Sequence, residues 1–160
     1  MQVEIPAGSR IKYEIDAQGR LFVDRFLPGA QAYPANYGGL PDTLAGDGDP
    51  LDALLITREP LPAGVRVAIR PIAVLRMSDA GQADEKLLAV PIAPVDADYA
   101  AWQGLDDVPV SLQQRIEDFF STYKQSGQGN PVQLHGWGGA LEARRLLLRA
   151  RRPAGADPQR

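Results

Sequence analysis

In IKYEIDAQGRLFVDRF, residues 11–26, polarity alternates on both sides of a turn. IKYEI and RLFVDRF each repeat with a period of two, and DAQG between them supplies turn residues, so the stretch predicts a β-hairpin. Outward from it lie VEI at the start of the chain, LDALLIT (51–57), VRVAIRPIAVLRM (65–77) and KLLAVPIA (86–93). These are rich in Val, Ile and Leu and bounded by Pro, Gly and Asp, and they read as further strands. Pro71 and Pro91 cannot donate to a ladder, so they mark strand ends, bulges or edges. Short strands in succession without intervening helices point to an antiparallel barrel or sandwich.

Helices come late. In SLQQRIEDFFSTYKQ (111–125) the residues Leu112, Ile116, Phe119, Phe120 and Tyr123 form one apolar face. Ser111 followed by Gln114 suggests a capping box. A second helix is predicted from about Ala140 to Arg151, after a loop HGWGG (135–139), and the tail RRPAGADPQR reads as frayed. No repeat or linker divides the chain. The expectation is one domain over residues 1–152, mainly β with flanking helices (α+β), and a disordered tail over 153–160.

Composition sets the limits. The 160 residues are 44% hydrophobic and 23% charged, ordinary for a globular domain with its own core. With 16 Gly and 14 Pro the chain is turn-rich without being low in complexity. The absence of cysteine rules out disulfides and thiolate metal sites and agrees with a cytoplasmic location. No apolar run reaches membrane-spanning length, and Met1 leads straight into a strand without a signal peptide. A net charge of −3 argues against a general polyanion binder.

Within this frame, DGDPLD (47–52) sets Asp47, Asp49 and Asp52 into six residues. A solvated turn and a cation platform both accommodate such a cluster. An EF-hand does not, because its sixth position must be Gly and its twelfth an acid, and these fall on Asp52 and Arg58. Hard carboxylates without cysteine favour Mg²⁺ or Mn²⁺ over zinc. The loop MSDAGQADEK adds Asp79, Asp84 and Lys86; alone it reads as a hairpin tip. If both loops reach one mouth, five carboxylates converge and need cations to offset their repulsion. Lys12 and Glu14 share a strand face, Arg25 follows on the next strand, and AYPANYGG presents Tyr33 and Tyr37 in a loop that displays their hydroxyls. Tyr123 and Lys124 end the first helix.

Taken in order, VEIP, IKYEID, LFVDRF, YPANYG, DGDPLD, the MSD loop with Asp84 and Lys86, and FFSTYK resemble the soluble family I inorganic pyrophosphatases of bacterial type. The resemblance covers roughly residues 2 to 150, and DGDPLD matches the signature D-x-D-P-x-D. It implies a closed five-stranded OB-like barrel with helices packed outside, a hexamer, and Mg²⁺-dependent hydrolysis of pyrophosphate to two phosphates. Several Mg²⁺ ions are implied per site, with Mn²⁺ as a substitute. By resemblance, Asp47, Asp52, Asp79, Asp84 and Glu14 would hold metal. Asp49 would be the base beside a water shared by two metals, and Tyr37 would join it in catalysis. Lys12, Arg25, Lys86, Tyr123, Lys124 and Tyr33 would meet phosphate oxygens, with Glu4 supporting the metal shell.

Three departures stand out. Ala80 occupies a position that is often acidic in relatives, Gly39 stands where an aromatic often follows NYG, and the short leader common in relatives is missing. Other chemistries find no support. His135 is the only histidine, so a Ser-His-Asp hydrolase with G-x-S-x-G is disfavoured. No P-loop is present, and GQGN (127–130) reads as a turn. Arg144, Arg145, Arg149, Arg151 and Arg152 read as a solvated helix end, so neither nucleic acid nor membrane is an expected partner. An OB-type nucleic-acid module would need stacking aromatics on a basic groove, and the predicted mouth is dense in aspartate instead.

Overall fold

The computed structural model describes residues 1–16, 18–123 and 132–151. Seven strands form one mixed sheet: β1 (Gln2–Ile5), β4 (Asn36–Gly39), β5 (Asp52–Leu55), β6 (Ile69–Asp79), β7 (Gln82–Ala83), β8 (Lys86–Pro91) and β9 (Gln133–Gly139). Their order is β1-β4-β5-β8-β6-β7, with β9 also pairing to β6. Strands β2 (Ile11–Ile15) and β3 (Leu21–Phe26) form the predicted hairpin as a separate two-stranded sheet. The described residues also hold two α-helices, α1 (Val110–Thr122) and α2 (Ala140–Ala150), and two short 3-10 turns, Ala97–Tyr99 and Leu105–Asp107.

The expected closed five-stranded barrel is not what forms. Among the described residues no sheet closes on itself. The outer edge of β1 is taken by the segment before β6: Val3 N donates to Val65 O (2.9 Å), Gly64 N to Val3 O (2.7 Å) and Val67 N to Met1 O (2.9 Å). With those groups satisfied locally, β1 has no edge left to accept a closing strand. The mainly β character with flanking helices does hold.

The continuous apolar runs of β5, β6 and β8 follow from burial on both faces. Side chains alternate between two clusters. Leu54, Leu75 and Leu88 pack with Ile116, Phe119 and Phe120 of α1, whereas Ala53, Val74 and Leu87 pack with Ala143 and Ala150 of α2. β5 and β8 are parallel neighbours, with Ala53 opposite Leu87, and the other pairings are antiparallel. Pro71 lies inside β6 at a shift of register against β8, and Pro91 ends β8, as the missing N–H groups require.

Two local expectations are overturned. HGWGG is not a loop but most of β9, which pairs along β6. Two of its glycines have a structural reason: Gly136 has φ +81° where the register shifts, and a Cβ on Gly138 would collide with the Glu142 carboxylate and come within 2.8 Å of Val74 Cγ1. The Ser111–Gln114 capping box does not form either, because α1 begins earlier, with Pro109 at its N-cap. Gln113 Nε2 instead donates to Leu105 O and Val108 O (3.2 and 2.9 Å), tying the helix to the turn before it. The predicted tail over 153–160, Lys124 and GQGN lie outside the described residues.

Candidate active site

The DGDPLD loop is held by its own backbone and one buried threonine. Asp47 Oδ1 accepts from Asp49 N (3.0 Å), Ala45 N donates to Asp49 O (2.7 Å), and Gly48 takes φ +95° to make the turn. Thr43, 5% exposed, donates to Leu40 O (2.6 Å) and accepts from Leu51 N (2.8 Å). The loop therefore enters β5 in one fixed register, with Asp52 as its first strand residue.

That register sets the central ion pair. Because Ala53 lies opposite Leu87 in parallel strands, Asp52 and Lys86 stand side by side where β5 and β8 begin. Lys86 Nζ donates to Asp52 Oδ2 at 2.5 Å and also to Asp84 Oδ1. Lys86 is 2% exposed and lies over the Tyr37 ring, 5.9 Å from its centroid. Burial pulls its pKa down, but the Asp52 and Asp84 carboxylates outweigh that and leave it above the ordinary lysine value.

Asp79 ends β6, and Asp84 follows the short return strand β7. Between them Ala80 and Gly81 both have positive φ (+49° and +82°), the conformation of a tight two-residue hairpin turn. On the opposite wall, the β2–β3 pairing shifts between Lys12 and Tyr13, whose partners are Arg25 and Val23. Asp24 is the extra residue of this bulge, which brings Asp24, Arg25 and Lys12 to one face. Asp24 Oδ2 lies 2.8 Å from Arg25 Nη1 and 3.3 Å from Lys12 Nζ, and Lys12 also bonds Glu14.

The tyrosines form the floor, and here the sequence reading needs correcting. Tyr33 is not displayed in a loop but is 2% exposed, its ring 4.6 Å from Phe119 and 5.4 Å from Tyr37. Tyr37 belongs to β4, and its hydroxyl hydrogen-bonds Asp52. Burial first, with nearby carboxylates adding to it for Tyr37, pushes Tyr33, Tyr37 and Tyr123 well above the ordinary phenol value; the hydroxyls keep their protons as donors.

Together these elements line a cleft of about 330 Å³. Around it stand Asp47, Asp49, Asp52, Asp79 and Asp84, with Lys12, Arg25 and Lys86 as cations and Tyr33, Tyr37 and Tyr123 as phenols. Glu4 and Glu14 line an adjoining cleft of about 510 Å³ that shares Lys12, Tyr37 and the Asp47–Asp52 loop. Glu4 is raised from an ordinary 4.5 to about 7, by burial and then by the Asp52 and Glu14 charges. Lys124 is outside the described residues. Sequence reading missed Asp24, the positioning Thr43, and Asn36. Asn36 is fully buried and bonds Ala7 N, Leu61 N, Leu55 O and Thr57 Oγ1. The YPANYG motif contains Asn36 without signalling its role.

Among the described residues, no three acids or histidines are arranged as a ready cage for an ion. The donor set nonetheless fits a hard divalent cation. The candidate ligands are all carboxylates, four aspartates at the rim of one cleft and Glu14 in the cleft adjoining it, and Mg²⁺ characteristically takes one or two carboxylates, keeps its waters and shares substrate phosphate oxygens.

The inorganic pyrophosphatase family profile matches residues 1–153. The chain is 49% identical over 148 residues to the inorganic pyrophosphatase of Xanthomonas campestris, covering 91% of this chain and 83% of that protein. It is 46% identical over 142 residues to that of Aquifex pyrophilus, covering 88% and 80%. The crystal structure of the Thermus thermophilus inorganic pyrophosphatase superposes with a TM-score of 0.88 at 40% identity, covering 94% of this chain and 87% of that one.

Proposed function

The chain belongs to the inorganic pyrophosphatase family of enzymes, and from that premise we propose that the aspartate-lined cleft hydrolyses pyrophosphate to two phosphates with the aid of Mg²⁺. The observation that carries this reading is one cleft in which five aspartates face Lys12, Arg25 and Lys86. Anionic and cationic groups are interleaved there at the scale of a small, highly charged substrate.

Asp47, Asp52, Asp79, Asp84 and Glu14 hold the divalent cations, with Mn²⁺ as a substitute for Mg²⁺. When bound, these ions offset phosphate charge and lower the pKa of the attacking water. Asp49 takes the proton from that water at its carboxylate, and Asp47 Oδ1 and Ala45 N keep its backbone in place. The water oxygen bonds to one phosphorus, the bridging oxygen leaves with the other, and two phosphates result. Arg25 presents a fork suited to two phosphate oxygens, whereas Lys12, Lys86 and Lys124 act as point charges. The Tyr33 and Tyr123 hydroxyls donate to phosphate oxygens. Tyr37 donates to Asp52 and fixes that carboxylate, and Glu4 supports the acids from the adjoining cleft. Phosphoryl transfer of this kind depends on positioning and charge.

The same reading places residues 1–152 in a single domain that acts as a hexamer in the cytoplasm. Exposed apolar side chains such as Phe26, Leu141 and Leu148 offer surface for assembly. No helix among the described residues is long and apolar enough to cross a membrane. Phosphate release from pyrophosphate, measured with and without Mg²⁺, tests the proposal. Absence of Mg²⁺-dependent release rejects it.

A further inference from the structure

Lys86 is almost wholly withdrawn from solvent. Its ammonium sits at the start of β8, 2% exposed, between Asp52 and Asp84 and above the Tyr37 ring. Its backbone is fixed by the central parallel ladder, so only the side chain can move. A buried ammonium without an anion is strongly unfavourable, which means Lys86 must always hold one. The anions its ammonium reaches are the Asp52 and Asp84 carboxylates.

We infer that Lys86 is an internal counterion that takes the place of a divalent cation between Asp52 and Asp84. Loading that cation requires the ammonium to release both carboxylates. This inference rests on the proposed pyrophosphatase reading and deepens it. A divalent ion and an ammonium compete for the same oxygens, and where both are present they repel at short range. In the free enzyme Lys86 therefore weakens cation binding. When pyrophosphate arrives, its phosphate oxygens give the ammonium a second anion, and the carboxylates are freed for metal. Metal and pyrophosphate thereby strengthen each other's binding, as linkage requires. The counterion role also accounts for the depth of Lys86, because a lysine serving phosphate alone would not need both aspartates.

Mn²⁺ binding to the metal-free full chain, measured by calorimetry without pyrophosphate, tests this. Lys86→Met is expected to bind Mn²⁺ on the order of tenfold more tightly than the natural chain. Lys86→Arg, which keeps the charge, is expected to show no such gain. Equal or weaker binding by Lys86→Met overturns the inference and leaves the pyrophosphatase reading standing. No Mn²⁺ binding by any form removes both.

Should Lys86→Met fail to fold, the natural chain gives the answer through its own ammonium resonances. It has three lysines, Lys12, Lys86 and Lys124, so the buried Lys86 signal is readily assigned by substituting the other two. Saturation with Mg²⁺ is expected to shift that signal or speed its exchange with water. An unchanged signal at saturation overturns the inference.

Discussion

Asp24 Oδ2 lies 3.3 Å from Lys12 Nζ, across a bulge that no alternating pattern would place there. The same carboxylate bonds Arg25, so one anion occupies two of the cations assigned to phosphate. Replacing it by Asn removes that charge from Arg25 and leaves Lys12 paired with Glu14 alone. Partly exposed pairs of this kind are worth up to about 1 kcal/mol, so Asp24→Asn should lower KM for pyrophosphate by at most about fivefold. Steady-state kinetics decide the matter; a raised KM would show that Asp24 orients the cations rather than competing for them.

The roles within DGDPLD separate by metal titration. Asp52→Asn loses a ligand and should regain activity at high Mg²⁺. Asp49→Asn loses the proton acceptor, which typically costs about 10² to 10⁴ in rate, and its kcat should stay low at saturating metal. Recovery of Asp49→Asn with failure of Asp52→Asn would reverse the two assignments.

Glu4 gives a pH dependence. Its pKa is raised from 4.5 to about 7 in the folded chain, chiefly by burial, so the folded state holds its proton more tightly than the unfolded one. The associated stability is fully present below pH 4.5 and is lost as pH rises through about 7. Denaturant midpoints of metal-free protein in chelator should therefore fall between pH 5 and 8 by more than those of Glu4→Gln. Parallel pH profiles for the two proteins would remove Glu4 as the cause.

Cation identity should matter through geometry. Excess chelator is expected to abolish phosphate release. Ca²⁺ added against Mg²⁺ is expected to inhibit, because its longer bonds and looser coordination misplace the attacking water. Full turnover in chelator would contradict the metal assignment.

Ala80 sits at φ +49°, where a Cβ costs about 1–2 kcal/mol and glycine avoids that cost. The greater freedom of glycine in the unfolded chain returns about 0.4–1 kcal/mol. Ala80→Gly should then raise the Tm by a few degrees at most, and a lowered Tm would show that the turn is unstrained.

The readable parts of the fold were those governed by local pattern. The alternation of residues 11–26 yields the β2–β3 hairpin, and the spacing of Leu112, Ile116 and Phe119 yields α1. Runs such as LDALLI and KLLAV are legible as buried strands, but nothing in either run says that β5 and β8 lie parallel. Barrel closure failed because β1 gave its edge to residues 64–67, a pairing with no local signature. Tyr33 was misplaced because Pro and Gly neighbours suggest display, while the α1 aromatics bury it. The site acids were legible through the motif resemblance, whereas Asp24 was hidden by a one-residue bulge that alternation cannot anticipate.

The parallel seating of Asp52 beside Lys86 joins positions 34 residues apart in the chain. Every residue of β6 and β7 must be laid down before the two can meet, so the site belongs to the high-contact-order part of the molecule. No early hairpin and no fragment ending before β8 can display it. Appearance of the Lys86–Asp52 pair during refolding thus reports completion of the central ladder, and the amides of Ala53 and Leu87 should be among the last to exchange with deuterated solvent. Local opening at the surface leaves the β5–β8 ladder beneath the pair intact.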